Sequence, residues 1–175
     1  MDLCVCKRYK DELHREKVSK IYAEAFSDFP YTESFSRTQI NLIIDKSLQA
    51  MKACHLVAES KGKVVGFIWG YELTSKDDIV SFFHDTFPVK ETAYIAEQTV
   101  TKAFRGKGIG TKLVTTLLNE FRKLEFDHAL VNTHALNWPA LKVYERCGFK
   151  VLPVFKQQDI GGGKAYFIVF LTREL

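Results

Sequence analysis

The glycine-rich segment R-G-K-G-I-G at residues 105–110 has residue types suited to binding a charged ligand. Residues 94–100 before it are predicted as a strand, and apolar spacing predicts a helix over 108–126. The first N–H groups of a helix have no partner within it, and the helix dipole is positive there. We therefore predict a site for an anion such as a diphosphate, with charge added by Arg105 and Lys107.

The spacing of these glycines excludes two familiar nucleotide-binding motifs. A dinucleotide fingerprint, G-x-G-x-x-G, would need its third glycine where Thr111 stands, and no window contains G-x-x-x-x-G-K-[ST]. The pattern [QR]-x-x-G-x-[GA] is met, by Arg105, Gly108 and Gly110.

A second motif lies downstream, where residues 137–149 read N-W-P-A-L-K-V-Y-E-R-C-G-F and match N-x-x-A-x-x-x-Y-x-x-x-G-F. Together with the glycine turn, it resembles the GNAT superfamily of N-acetyltransferases, which bind acetyl-CoA. The close match covers residues 93–155, and the remaining predicted elements agree with that family in order and kind.

The other predicted elements would position these two motifs. Strands are predicted at residues 3–9, 55–59, 63–73, 94–100, 128–133, 149–155 and 165–171, and helices at 11–26, 36–51, 108–126 and 137–147. Residues 74–91 are predicted as a loop or a short helix, and the glycines at 161–163 as the last turn. The expected fold is α/β (α+β), with a single mixed, mostly antiparallel twisted sheet of six to seven strands flanked by about four helices.

Composition and charge point to an ordinary globular domain over residues 1–175, with 46% hydrophobic and 26% charged residues. The net charge of +4 comes from dispersed lysines, so no nucleic-acid partner is expected. Because neither a long apolar run nor a signal-peptide pattern is found, we expect a cytoplasmic protein without a membrane partner. The four cysteines match no zinc pattern and are expected to be reduced, with no metal bound.

The resemblance implies a coenzyme A site built from the two motifs. Backbone N–H groups of the glycine turn would hold the diphosphate, and the Val100 N–H would lie near the thioester oxygen. The Arg105 guanidinium would also contact the diphosphate, or it would point to solvent or brace the turn. Asn137 would cap a helix, contact the coenzyme arm, or do both. The predicted cofactor-binding residues are Thr99, Val100, Arg105, Gly106, Lys107, Gly108, Ile109, Gly110, Thr111, Asn137 and Tyr144.

Two side chains are candidates for the proton transfers of acetyl transfer. Tyr144 would be the general acid, because a phenol with an ordinary pKa of about 10 can donate to a departing thiolate. Glu97 would be the general base, directly or through a water, or would only attract a cationic amine. His134 is a weaker substitute for the base. Gln98 departs from the apolar residue that is usual at its position.

The acceptor side is less defined by the sequence. Phe29 and Tyr31 belong to an aromatic loop between the first two helices, and with Glu97 and His134 they are the predicted substrate-binding residues. Residues 76–91 could add acids for a polyamine or aminoglycoside, or aromatics for an amino acid or peptide terminus.

The resemblance implies an acetyl-CoA-dependent N-acetyltransferase. It would act on a primary amine of a small molecule or peptide by direct attack in a ternary complex, as a possible homodimer. The alternatives are a non-catalytic acyl-CoA-binding module of the same fold, and an enzyme for a longer acyl group or a non-amine acceptor.

Overall fold

The computed structural model describes residues 5–74, 77–82, 88–161 and 164–175. Its strands are β1 (Val5–Arg8), β2 (Cys54–Ser60), β3 (Lys63–Glu72), β4 (Thr92–Val100), β5 (His128–His134), β6 (Lys150–Gly161) and β7 (Lys164–Glu174). Its α-helices are α1 (Asp11–Ser27), α2 (Arg37–Gln49), α3 (Ile109–Lys123) and α4 (Trp138–Arg146). Short 3₁₀ turns cover Asp78–Phe82 and Lys102–Phe104.

The seven strands form one sheet in the order β1-β2-β3-β4-β5-β7-β6. All neighbouring pairs are antiparallel except β4 and β5, which are parallel. This confirms the predicted fold class, a mixed and mostly antiparallel sheet with four flanking helices. Within the described ranges, no helix has both the length and the apolar character needed to cross a bilayer.

Strand β6 is longer than predicted, because residues 156–161 continue it although they lack an apolar pattern. Among the residues that the structure describes, this strand is the edge of the sheet and pairs with β7 alone, so polar side chains are tolerated there. Gly161 ends β6, whereas Gly162 and Gly163 of the predicted turn lie outside the described residues. Residues 75–76 and 83–87 of the unpatterned stretch, and Cys4, also lie outside them.

The helices cover both faces of the sheet with apolar side chains. Leu113, Leu117 and Phe121 of α3 are fully buried in one cluster with strand residues such as Ile68 and Ile95. On the other face, α1 and α2 pack on Phe67 and Trp69 through a second cluster that includes Val18, Tyr22 and Ile40. A capping box begins α2, since the side chains of Ser36 and Gln39 each accept a backbone N–H of the other residue.

Strand β4 contains one extra residue opposite β3. Trp69 pairs with Glu97 and Gly70 pairs with Ile95, so Ala96 has no partner and forms a β-bulge. Because successive side chains of a strand point to opposite faces, the bulge changes which face each later residue uses. Glu97 therefore contacts Tyr22 of α1, and Gln98 contacts Gly110 of α3.

Candidate active site

A gap between β4 and β5 begins in the middle of the sheet. The two parallel strands pair only from Thr92 with His128 to Ile95 with Val131. Both strands continue, β4 to Val100 and β5 to His134, without further pairing between them. Beyond Ile95, the edge of β4 that faces β5 thus has no neighbouring strand within the described ranges of the chain.

The backbone of Val100 faces this gap. The Thr101 N–H donates to the Val65 carbonyl of β3 (2.9 Å), and backbone groups alternate in direction along a strand. The N–H and C=O of Val100 therefore point away from β3. The Arg105 Nε–H donates to the Val100 carbonyl at 2.9 Å, so its guanidinium braces the turn after β4. The Val100 N–H is left as the donor directed into the gap.

The glycine turn connects β4 to the N-terminus of α3. Gly106 and Gly108 have φ values of +75° and +78°, a region that glycine adopts without steric cost. A Cβ placed on either residue would meet no atom within 4 Å, so open space lies in front of this backbone. The first backbone hydrogen bond of α3 runs from the Lys112 N–H to the Gly108 carbonyl. The N–H groups of the first helical turn therefore face that open space.

A side-chain hydrogen bond ties the start of α3 to β4. The Gln98 Nε2 donates to the Gly110 carbonyl at 3.0 Å, and a Cβ at Gly110 would lie only 3.2 Å from that nitrogen. Because Gly110 has no side chain, α3 can approach β4 closely at this point. This contact fixes the helix N-terminus relative to the strand that borders the gap.

Helix α4 is defined at both ends by the second motif. The Asn137 side chain accepts the Ala140 N–H (3.3 Å), as an N-cap residue does. At the other end, the Gly148 N–H bonds to the Glu145 carbonyl and the Phe149 N–H to the Tyr144 carbonyl, which is a Schellman motif. Gly148 has a φ of +81°, as this motif requires.

The same motif holds the ring of Tyr144. This ring packs edge-on against Phe149, with centroids 5.4 Å apart, and the residue is only 3% exposed. Burial, with smaller contributions from Tyr31 and Glu97, keeps the pKa of Tyr144 far above its usual value, so the phenol stays protonated. Among the described residues its hydroxyl has no hydrogen-bond partner, which leaves the proton available to a bound molecule.

Glu97 lies on the opposite side of the sheet from α3. Its Oε1 accepts a hydrogen bond from the Tyr22 hydroxyl (2.9 Å). Burial raises the pKa of Glu97 to about 8, the Tyr22 hydrogen bond opposes this shift, and the nearby Glu33 adds to it. A carboxyl group with this pKa changes its charge near neutral pH, as a general base must.

An aromatic group surrounds the end of β5. The Tyr31 hydroxyl lies 3.2 Å from Thr133 Oγ1 and accepts from Asn137 Nδ2 (3.3 Å). The His134 ring stacks on Tyr166 (centroids 4.6 Å apart) and meets Tyr31 edge-on (5.8 Å). The Leu136 N–H donates to His134 Nδ1 and burial lowers the pKa of His134, so the neutral ring carries its proton on Nε2. Nδ1 is thus occupied, which weakens the case for His134 as a base.

A cavity of about 250 Å³ lies between the end of α1 and the end of β4. Thr99, Val100 and Arg105 line it from the β4 side, and Glu24 and Asp28 from α1. The Lys102 ammonium is paired with the Asp28 carboxylate at 2.8 Å. This ion pair links the end of α1 to the turn after β4. The predicted coenzyme residues of β4 thus border an open volume.

The structure brings most of the predicted site residues together, with exceptions. Phe29 is 73% exposed and is not part of the aromatic group. The Lys107 Nζ lies over the Phe104 ring, 4.9 Å from its centroid. Tyr22, Glu33 and Tyr166 were not predicted. Tyr22 carries only the helical spacing of a core residue, and neither Glu33 nor Tyr166 belongs to a local motif.

The chain belongs to the acetyltransferase (GNAT) family, whose model matches residues 15–149. This confirms the family predicted from the two motifs. The structure of a ribosomal-protein-alanine N-acetyltransferase from Brucella melitensis superposes with a TM-score of 0.77, at 18% identity, over 98% of this chain and 99% of that one. The structure of yncA from Salmonella typhimurium, solved with its cofactor acetyl-CoA, gives a TM-score of 0.73 at 18% identity, over 98% of this chain and 94% of that one.

Sequence relatives are named as N-acetyltransferases as well. Camello of Xenopus tropicalis, named as a probable N-acetyltransferase, is 30% identical over an alignment of 132 residues that covers 72% of this chain and 54% of that protein. An N-alpha-acetyltransferase of Sulfurisphaera tokodaii is 24% identical over 69% of this chain and 71% of its own length. The chain thus spans about half the length of its camello relative. The family and these names support the prediction of an acetyltransferase.

Proposed function

We propose that the chain transfers an acetyl group from acetyl-CoA to a primary amine, by direct attack within a ternary complex. The gap between β4 and β5 is the observation that carries this proposal, because it exposes the Val100 N–H beside the N-terminus of α3. Glu97 also lies close enough to the Tyr144 hydroxyl to raise its pKa, so a candidate base and a candidate acid share the site.

The residues of the site fit the coenzyme. The open space in front of Gly106 and Gly108 and the N–H groups of the first turn of α3 suit a diphosphate, and the edge of β4 suits an amide-containing arm. Thr99, Val100, Asn137 and the turn from Arg105 to Thr111 would hold it. Acetyl-CoA would supply the acetyl thioester.

Each catalytic task then falls to one group of the chain. Glu97 accepts a proton from the acceptor ammonium and leaves a neutral amine that can attack. The Val100 N–H donates to the thioester oxygen as negative charge grows on it. As the C–S bond breaks, Tyr144 donates its proton to the leaving sulfur, since burial keeps the phenol protonated, and the newly acylated nitrogen returns a proton to Tyr144.

Two measurements test the proposal. Saturation with acetyl-CoA should raise Tm, because a ligand at a hundred times its Kd stabilises a protein by about 2.7 kcal/mol, or about 5 to 10 °C for a domain of this size. Thiol release from acetyl-CoA should then appear with at least one amine in a panel of amines, polyamines, aminoglycosides and peptides.

The outcomes separate the alternatives. No change in Tm at millimolar acetyl-CoA would refute the coenzyme site. Stabilisation without thiol release for any acceptor would favour the acyl-CoA-binding module. Thiol release only from longer acyl-CoA esters would show that the acyl donor is not acetyl-CoA.

A further inference from the structure

Two carboxyl groups on the acceptor side of the proposed site accept hydrogen bonds from tyrosine hydroxyls rather than from cationic side chains. The Tyr22 hydroxyl donates to Glu97 at 2.9 Å, and the Tyr166 hydroxyl donates to Glu33 at 3.0 Å. Among the described side chains, neither carboxylate forms an ion pair. A half-buried carboxyl group without a cation is disfavoured in its charged form, so a bound ammonium would stabilise the ionised form of each of these two groups.

The two carboxylates belong to one cluster. Tyr22 stacks on Phe26 with centroids 4.4 Å apart, and Phe26 packs on Tyr31 at 4.9 Å. The Glu33 N–H donates to the Phe26 carbonyl (2.8 Å), which fixes the loop that carries this carboxylate. Glu33 is close enough to Glu97 for its charge to disfavour the ionised form of Glu97.

The walls beside Glu33 are aromatic. Tyr166, which holds Glu33, stacks on His134 and meets Tyr31 edge-on at 6.2 Å. His134 is 5% exposed, and burial lowers its pKa, so its neutral ring adds no positive charge to these walls. Aromatic faces beside a carboxylate favour an ammonium over a neutral polar group. The cluster thus offers a second cation site next to the proposed reacting centre.

We propose that the acceptor is a compact amine with a second cationic group, in which Glu97 receives the reacting ammonium and Glu33 holds the other one. This rests on the proposed function and assigns its substrate class. The ammonium at Glu97 loses its proton to that carboxylate and reacts, whereas the ammonium at Glu33 stays charged. Free diamines and short polyamines have this chemistry, and so does a peptide terminus followed by a basic residue.

Calorimetric titration tests the proposal without requiring turnover. 1,4-Diaminobutane and 1-aminobutane are titrated into the protein with CoA and without it, so that failure of coenzyme binding is seen separately from failure of the diamine preference. The diamine should bind at least about tenfold more tightly than the monoamine, as one additional charge-assisted hydrogen bond supplies.

Glu33→Gln should reduce this preference to near unity, and Glu33→Asp should retain most of it. Glu16→Gln, which makes the same change of charge at an exposed position of α1, should leave the preference intact. Equal affinities for the two amines in the unmodified protein would overturn the proposal, as would an unchanged preference in Glu33→Gln.

A peptide pair distinguishes the source of the second cation. A tripeptide with lysine at its second position is compared with the same peptide carrying norleucine there. A preference for the diamine over the monoamine, without one for the lysine peptide, would assign the site to free diamines. A preference for both would assign it to the shared dicationic chemistry.

Discussion

Replacing Glu97 by Gln removes a carboxyl group whose ionisation is made unfavourable by burial in the folded protein. The pKa of Glu97 is about 8 in the folded chain, against 4.5 for an ordinary glutamate, so the folded protein keeps a proton that the unfolded chain loses. A group whose pKa is raised by folding contributes stability that is present below its unfolded pKa and lost as the pH rises through its folded pKa. Between these values, each pH unit lowers the free energy of unfolding by about 1.4 kcal/mol.

The magnitude follows from the two pKa values. From pH 5 to pH 8.5 the unmodified protein should lose about 4 kcal/mol through this one group, whereas Glu97→Gln should lose none of it. The glutamine retains an oxygen that can accept the Tyr22 hydroxyl, so the comparison isolates the charge. The variant should therefore become steadily more stable relative to the parent protein as the pH rises.

Urea unfolding at several pH values between 5 and 8.5 measures this difference. Glu16→Gln serves as the control, because its exposed carboxyl should give a nearly constant difference across the same range. If the difference for Glu97→Gln also stayed constant to within about 1 kcal/mol, the burial argument for Glu97 would be refuted.

Three further predictions concern the coenzyme and the proton transfers. Tyr144→Phe should lower kcat about a hundredfold or more with little change in the Kd of acetyl-CoA, and an unchanged kcat would assign the acid elsewhere. Gly108→Asp should abolish acetyl-CoA binding in calorimetry through charge at the diphosphate site, whereas Gly108→Asn, equally able to adopt the left-handed backbone, should retain weaker binding. Tyr22→Phe removes a donor that lowers the pKa of Glu97, so the rising limb of kcat/KM should move to a pH above about 8. An unmoved limb would argue against Glu97 as the base.

The parts of the site that sequence predicts well are those fixed by local chemistry. The Schellman motif explains the spacing of Tyr144, Gly148 and Phe149, since Gly148 supplies the left-handed backbone and Phe149 packs on Tyr144. The glycine turn is equally local, because Gly106 and Gly108 need only their own backbone freedom. Both motifs therefore predict the candidate coenzyme site from short stretches of residues.

The acceptor side depends on contacts between distant residues, which a single sequence does not reveal. Tyr22 reaches Glu97 across 75 positions, and Tyr166 reaches Glu33 across 133. Each of these side chains is ordinary in its own element. The packing of α1 on β4 brings Tyr22 to Glu97, and the contact of the α1–α2 loop with β7 brings Glu33 to Tyr166. The sequence could therefore suggest Tyr31 as part of an aromatic wall, whereas the pairing of Glu33 with Tyr166 could not be predicted from it.

The bulge at Ala96 shows how one residue decides the chemistry of both faces of β4. Without it, strict alternation would place Glu97 on the α3 side and Gln98 towards α1. With it, Glu97 faces Tyr22 of α1, while Gln98 donates to Gly110 at the start of α3. The glutamine that departs from the usual apolar residue thus has a role of its own, because its amide fixes the glycine turn to the strand. The inserted residue therefore positions the candidate base and also supports the candidate coenzyme site.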